Sequence, residues 1–112
     1  RNVYRDTPRA FAQDAMALVL AQELVASGQD QGLPAVQRAF AYMPYMHSES
    51  RPVHAQAALL FAQPGLEDNL GSARRHKAII DRFGRYPHRN AVLGRTSSAQ
   101  ELAFLREPGS SF

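Results

Sequence analysis

The sequence predicts an all-α protein, arranged as successive antiparallel helices with short links. Three observations predict it. Alanine, leucine, glutamine and arginine are abundant and β-branched residues few, and unbranched side chains lose little rotamer freedom in a helix. Apolar residues recur at the three- and four-residue spacing that places them on one helical face. Proline and glycine punctuate the periodic stretches at intervals that leave little room for long connections, so that consecutive helices pair as hairpins.

The first helix is expected over residues 8–27. Thr7 can cap its exposed N–H groups, and Pro8 lacks only an N–H that would have had no partner. Phe11, Ala15, Leu18 and Val25 follow at helical spacing, and Gly28 is the natural stop, since a left-handed terminal residue is least strained as glycine. Pro34 opens a second helix with Val36, Phe40 and Met43 on its apolar face. Pro44 is expected to end that helix, leaving residues 44–51 as a bend. The third helix starts within residues 50–52 and runs to about 63, with a stripe of Val53, Ala57, Leu60 and Phe61, before Pro64 and Gly65 turn the chain.

A fourth helix covers residues 66–83. Its acidic Glu67 and Asp68 near the start, and Arg74, Arg75 and Lys77 towards the end, match the helix dipole. Leu70, Ala73, Ile80 and Phe83 face inward, and Gly84 stops it. Residues 85–96 read as a long connection containing Pro87 and Gly94. A last short helix begins at Ser97 or Ser98, where Ser97 with Gln100, or Ser98 with Glu101, fits a capping box, and Leu102 and Leu105 are its expected anchors. Nothing in the chain reads as a strand.

Composition sets outer bounds on function. The 112 residues make one domain at most, with 45% hydrophobic and 21% charged residues. With no cysteine, disulfides and thiolate metal sites are excluded. The absence fits a cytoplasmic protein. The longest apolar run, Ala15 to Ala21, is far shorter than the roughly 20 residues needed to cross a bilayer. A net charge of +3 permits a phosphate or nucleic-acid partner without requiring one.

The richest candidate site is the cluster Arg82, Arg85, His88, Arg89, Asn90 and Arg95, which gathers cationic and hydrogen-bonding groups into a connection. Arginine forks match the oxygens of carboxylates and phosphates, so the functional reading is an anion-binding site, completed by Arg1, Asn2 and Arg5. The structural reading is that such a loop needs these side chains to satisfy its own carbonyls. His47, Ser48 and Glu49 form a second candidate, with His47 as a general base and Glu49 orienting it. Adjacent residues cannot by themselves assemble a triad, and capping of the third helix by Ser48 or Ser50 explains the segment better. The four histidines, His47, His54, His76 and His88, lack metal-ligand spacing, so no metal is expected, and His76 reads as a hydrogen-bonded structural residue. The run Arg74-Arg75-His76-Lys77 spreads around a helix and reads as solvated surface. An RNA-binding reading that adds Tyr86 as a stacking platform has no motif behind it.

Several strings together resemble one family. They are RNVYRDTPRAFAQDA, FAYMPYMHSE, RRHKAIIDRFGRYPHRNAVLGR, SSAQELAFL and EPGSSF. They resemble the bacterial family known as domain of unknown function 924, across essentially the whole chain, with residues 82–95 the most specific part. The resemblance implies a tetratricopeptide-like helical array of which residues 1–112 form the C-terminal part, the N-terminal helices being absent. Tyr86 stands where phenylalanine is common in that family, and Ser50-Arg51-Pro52 where an acidic, proline-free start is usual. The resemblance brings no activity with it. The expected function is a binding module for a peptide, protein or anionic ligand, anchored by Arg82, Arg85, His88, Arg89 and Asn90, with no cofactor. The alternative is an enzyme acting on an anionic substrate, with His47 or His88 moving the proton and Glu49 activating. An apolar face left bare by missing helices would be covered by a companion chain or a second copy.

Overall fold

The computed structural model describes residues 14–108 and Ser110, so the predicted start at Thr7 and Pro8, and the candidates Arg1, Asn2 and Arg5, lie outside the described residues. Five α-helices follow one another: α1 (Asp14–Ser27), α2 (Ala35–His47), α3 (Arg51–Leu60), α4 (Glu67–Phe83) and α5 (Ala99–Phe104). Short 3-10 turns at Gln29–Gly32 and Pro87–Arg89 complete the order, and no strand occurs among the described residues. The protein is all-α. No described helix is long and apolar enough to cross a membrane. Consecutive helices pack on one another, α1 on α2, α2 on α3 and α3 on α4, and α2 also touches α4.

Local signals account for most boundaries. Gly28 and Gly84, at φ 76° and 74°, end α1 and α4 in the left-handed conformation that a Cβ disfavours. Ser50 caps α3 by accepting the Val53 N–H, with Pro52 in the first turn. Ser98 and Glu101 form a reciprocal capping box on α5. The turn after α3 is fixed by Gly65 at φ 89°, where an added Cβ would come within 2.9 Å of the Ala35 Cβ. That contact pins the α3–α4 link to the start of α2.

The main core joins α1 to α4. Alanines 21, 39, 57 and 73 let the helices approach closely, and Tyr42, Tyr45, Met46, Phe61 and Leu66 fill the space between them. Tyr42 meets Phe61 edge-to-face with ring centroids 5.7 Å apart, an arrangement that aligns the ring quadrupoles favourably. A smaller cluster, Ile79, Ile80 and Tyr86, packs with Phe83 and Phe104 and ties α5 to the end of α4.

Four expectations need correcting. Pro44 does not end α2, which continues through it to His47. In the last turn proline removes a single backbone bond, to the Phe40 carbonyl, while continuing the helix buries Tyr45 and Met46. The buried face of α2 is therefore Ala39, Tyr42, Tyr45 and Met46, whereas Val36 and Phe40 are 72% and 76% exposed. On α5, Leu102 is half exposed, and Phe104 makes the anchoring contact with Phe83, at 5.1 Å between ring centroids. Finally, α3 closes at Leu60 rather than near residue 63, with the core residue Phe61 as its cap.

Candidate functional site

The two family strings FAYMPYMHSE and RYPHRN, far apart in sequence, meet in space. Gly84 turns the chain out of α4, and Pro87 opens a 3-10 turn that delivers Tyr86 into the interior. The Tyr86 hydroxyl donates to the Met46 carbonyl at 2.5 Å and lies 3.0 Å from His54 Nε2. That same Nε2 is 2.6 Å from the Ser48 carbonyl, which can only accept, so the proton sits on Nε2. His54 Nδ1 is then a buried lone pair with no hydrogen-bond partner among the described residues.

Charged groups hold the backbone of Tyr86. Glu49 accepts its N–H at 2.7 Å, and Arg95 donates to its carbonyl at 3.2 Å. Arg95 also forks onto Glu49 at 2.9 and 3.0 Å and donates through Nε to Asn90 Oδ1. Asn90 in turn donates to Ser97. Burial works to raise the Glu49 pKa, but the Arg95 hydrogen bonds and the Tyr86 N–H prevail and hold the carboxyl below its usual range.

Three histidines and an arginine surround the Tyr86 ring. His54 and His76 meet it edge-on at 5.9 Å, His88 lies tilted at 5.7 Å, and the Arg89 guanidinium sits 4.7 Å from the centroid. His76 is fixed by Nδ1 against the Ser72 carbonyl at 2.7 Å, and Arg89 donates to the His47 carbonyl at 2.9 Å. Burial lowers the pKa of both His54 and His76, which favours the neutral ring.

Of the residues singled out in the sequence, Glu49, His88, Arg89 and Asn90 come together around Tyr86, and His47 joins them through its carbonyl. Arg85 turns away to α5, donating to Glu101 at 2.9 and 2.7 Å and to the Thr96 carbonyl. Arg82 is exposed, with its guanidinium 4.7 Å from the Phe83 ring and 5.7 Å from Phe104. Arg74 and Arg75 are exposed, and Lys77 pairs with Asp81. No group of three or more His, Asp or Glu residues is arranged to hold a metal ion among the described residues. Tyr86 stands at the centre with His54 and His76 beside it. By sequence Tyr86 reads only as a stacking platform and His76 as a structural histidine, and His54 has no place in the cluster.

Two further features lie outside the loop cluster. Asp30 is buried and accepts from the Tyr42 hydroxyl at 2.5 Å, while Gln63 bridges Tyr42 to Arg38. A groove of about 370 Å³ opens between α1 and α3, lined by Gln22, Val25, Ala26, Tyr45, Gln56, Leu59 and Leu60.

The fold and this buried tyrosine–histidine–arginine cluster define an all-α helical protein with a polar hub joining α2, α3, α4 and the loop before α5. The chain belongs to a family of bacterial proteins of unknown function, DUF924, whose model matches residues 1–109. It is similar to the solved structure of a protein of unknown function, ATU0120, from Agrobacterium tumefaciens, at 34% identity over 92% of this chain, with a TM-score of 0.86. The match spans 58% of that relative's length. No curated protein matches the chain.

Proposed function

We propose that this chain is a binding module for a protein or peptide partner, carried on a tetratricopeptide-like array and working in the cytoplasm. The observation that carries this reading is the exposure of large apolar side chains on the first three helices. Met16, Val19, Leu20, Val36, Phe40 and Leu59 are each at least half exposed. Outward apolar strips of this kind mark interaction surfaces. An anionic ligand is less favoured, because Arg85, Arg89, Asn90 and Arg95 donate to acceptors within the fold. Arg82 remains as an exposed cation for that role.

The enzyme alternative draws on the gathering of His54, His76 and His88 around Tyr86. Clustered histidines, here with the pKa of His54 and His76 lowered by burial, are a recognised mark of functional sites. Against it, the Tyr86 hydroxyl is turned onto Met46 and His54 in a buried position, where a substrate would first have to displace internal hydrogen bonds.

Photo-crosslinking in the producing cell tests the binding reading. A photoreactive residue replaces Phe40 in one variant and Gln100 in another. A discrete adduct at position 40 and none at 100 is the expected result, and its mass identifies the partner or a second copy. No adduct at 40, together with thermal stabilisation of the protein by phosphate, nucleotide or a small carboxylate, would replace the protein partner with an anionic ligand.

A further inference from the structure

We infer that His54 is an acid-operated catch for the loop of residues 84–96: when its imidazole takes up a proton, Tyr86 leaves its seat and the loop opens, while α1 to α4 stay packed. His54 is 1% exposed, near the start of α3, between the α2–α3 link and Tyr86. As a neutral ring it is well placed, giving its Nε2 proton to the Ser48 carbonyl with the Tyr86 hydroxyl 3.0 Å away. Its Nδ1 is enclosed and meets no hydrogen-bond partner among the described residues. A proton added there would be a buried donor without an acceptor, on a ring that has become a cation. Both changes are costly in a site closed to water.

The surroundings decide which side gives way. Among the described residues, the charged and titratable groups that face His54 are His76, Lys77 and Asp81 on α4, and Tyr86 and Arg89 on the loop. The Ser48 carbonyl and Asp81 favour a charged ring, but Asp81 is already paired with Lys77 at 2.6 Å. Burial, the largest effect, prevails with Lys77 and Arg89 on its side and lowers the His54 pKa. Lys77 stands on a helix that the main core holds, whereas Arg89 is carried by the loop, so repulsion from a charged ring pushes the loop away. Tyr86 itself belongs to the smaller cluster with Ile79 and Ile80, outside the core that joins α1 to α4. The loop reaches residues 46–49 through polar bonds: Tyr86 to the Met46 carbonyl, Arg89 to the His47 carbonyl, and the Tyr86 N–H and Arg95 to Glu49. A segment held in this way opens at lower free energy than packed helices. Because the Tyr86 ring meets the His54 ring edge-on at 5.9 Å, its departure gives the imidazolium a path to water. The Glu49 carboxyl is held below 4.5, so between pH 7 and 5 the response belongs to the histidines and not to the Glu49–Arg95 fork. With the ordinary value of 6.5 restored on opening, linkage lets the open population grow at most about 25-fold over that range.

Amide hydrogen exchange followed by NMR on the full chain tests the catch, with intrinsic rates corrected for pH. Between pH 7 and 5, protection of the Tyr86 and Arg95 amides, which bond to Glu49 and to the Asn90 carbonyl, should fall about tenfold or more. At pH 5 it should lie about tenfold or more below that of Tyr42 and Ala57 in the core helices. His54→Gln keeps a donor for the Ser48 carbonyl but does not titrate, and should remove most of the fall. His76→Gln should remove less of it. In the wild type, where no variant has to fold, the His54 ring should titrate below 6.5 and in step with the loss of Tyr86 protection. Protection at Tyr86 that is unchanged at pH 5 would overturn the proposal, as would a His54 ring that titrates while Tyr86 stays protected. Equal protection of Tyr86 and the core at pH 5 would show that the loop opens only with the whole fold, and a fall that persists in His54→Gln would assign the response to another group. Either result overturns the catch.

Discussion

Glu49 and Arg95 hold the backbone of Tyr86 from both sides. The Glu49 carboxylate accepts the Tyr86 N–H at 2.7 Å, Arg95 donates to the Tyr86 carbonyl at 3.2 Å, and the two side chains fork onto each other at 2.9 and 3.0 Å. An ion pair placed in this way orders a loop as well as attracting charge, because losing Glu49 takes the acceptor from the Tyr86 N–H, losing Arg95 takes a donor from the Tyr86 carbonyl, and either loss breaks the fork. Glu49→Ala should therefore destabilise the fold by about 2 kcal/mol. In a double-mutant cycle with Arg95→Ala the coupling should reach about 1 kcal/mol or more, and strictly additive denaturation midpoints would contradict the clasp.

The tyrosines should separate by the fate of their hydroxyls. Tyr42→Phe removes the donor that Asp30 accepts in a buried position, and Tyr86→Phe leaves the Met46 carbonyl without its partner. Each should cost about 1–3 kcal/mol in urea unfolding. Tyr45→Phe should be nearly neutral in the unliganded protein, since none of the described residues uses its hydroxyl. Equal losses at all three positions would show that hydroxyl partners do not govern the differences.

Acid should reveal the Arg85–Glu101 pair. The Arg85 hydrogen bonds, joined by the Ser98 N–H, outweigh burial and bring the Glu101 pKa down to about 2 from an ordinary 4.5. Because the folded value lies below the unfolded one, the pair's contribution is fully present above about pH 4.5 and is lost as pH falls towards 2. Glu101→Gln should flatten the stability profile in that window. NMR titration of the Glu101 carboxyl checks the value directly.

The buried histidines act in a higher window. Burial lowers the folded pKa of His54 and His76 below the ordinary 6.5, so below that pH the unfolded chain takes up protons that the folded chain refuses. Stability should therefore fall as pH drops through about 6.5, and His54→Gln should reduce the slope. Chemical denaturation between pH 7.5 and 5 measures it, and a flat profile would contradict neutral, buried rings.

Two glycines with similar backbones should respond differently. Gly28 has φ 76° with nothing within 4 Å of an added Cβ, whereas Gly65 has φ 89° and Ala35 Cβ at 2.9 Å. Gly28→Ala should cost about 1 kcal/mol for the left-handed conformation alone. Gly65→Ala should cost at least about 1 kcal/mol more, for overpacking against α2. Thermal unfolding of the two variants gives the comparison.

Legibility in the sequence followed the range of the interaction. The Ser98–Glu101 capping box, the Ser50 cap and the glycine stops at 28 and 84 were readable because every partner lies within a turn. Pro44 was misread because its local penalty is visible in sequence and the burial of Tyr45 and Met46 that outweighs it is not. Val36 and Phe40 carry the spacing of a buried stripe but lie on the outward side of α2, since periodicity finds an apolar face without saying what covers it.

The sequence by itself determined the all-α class, the order of the helices, most of their ends and the family, because propensity, capping and turn chemistry act over a few residues. Only the tertiary structure decided that Glu49 and Arg95, 46 positions apart, would clasp Tyr86. It alone turned Arg85 towards Glu101 and opened a groove under Tyr45. Those outcomes depend on which helix faces meet. That choice is made by packing among many side chains at once, and no local pattern encodes it.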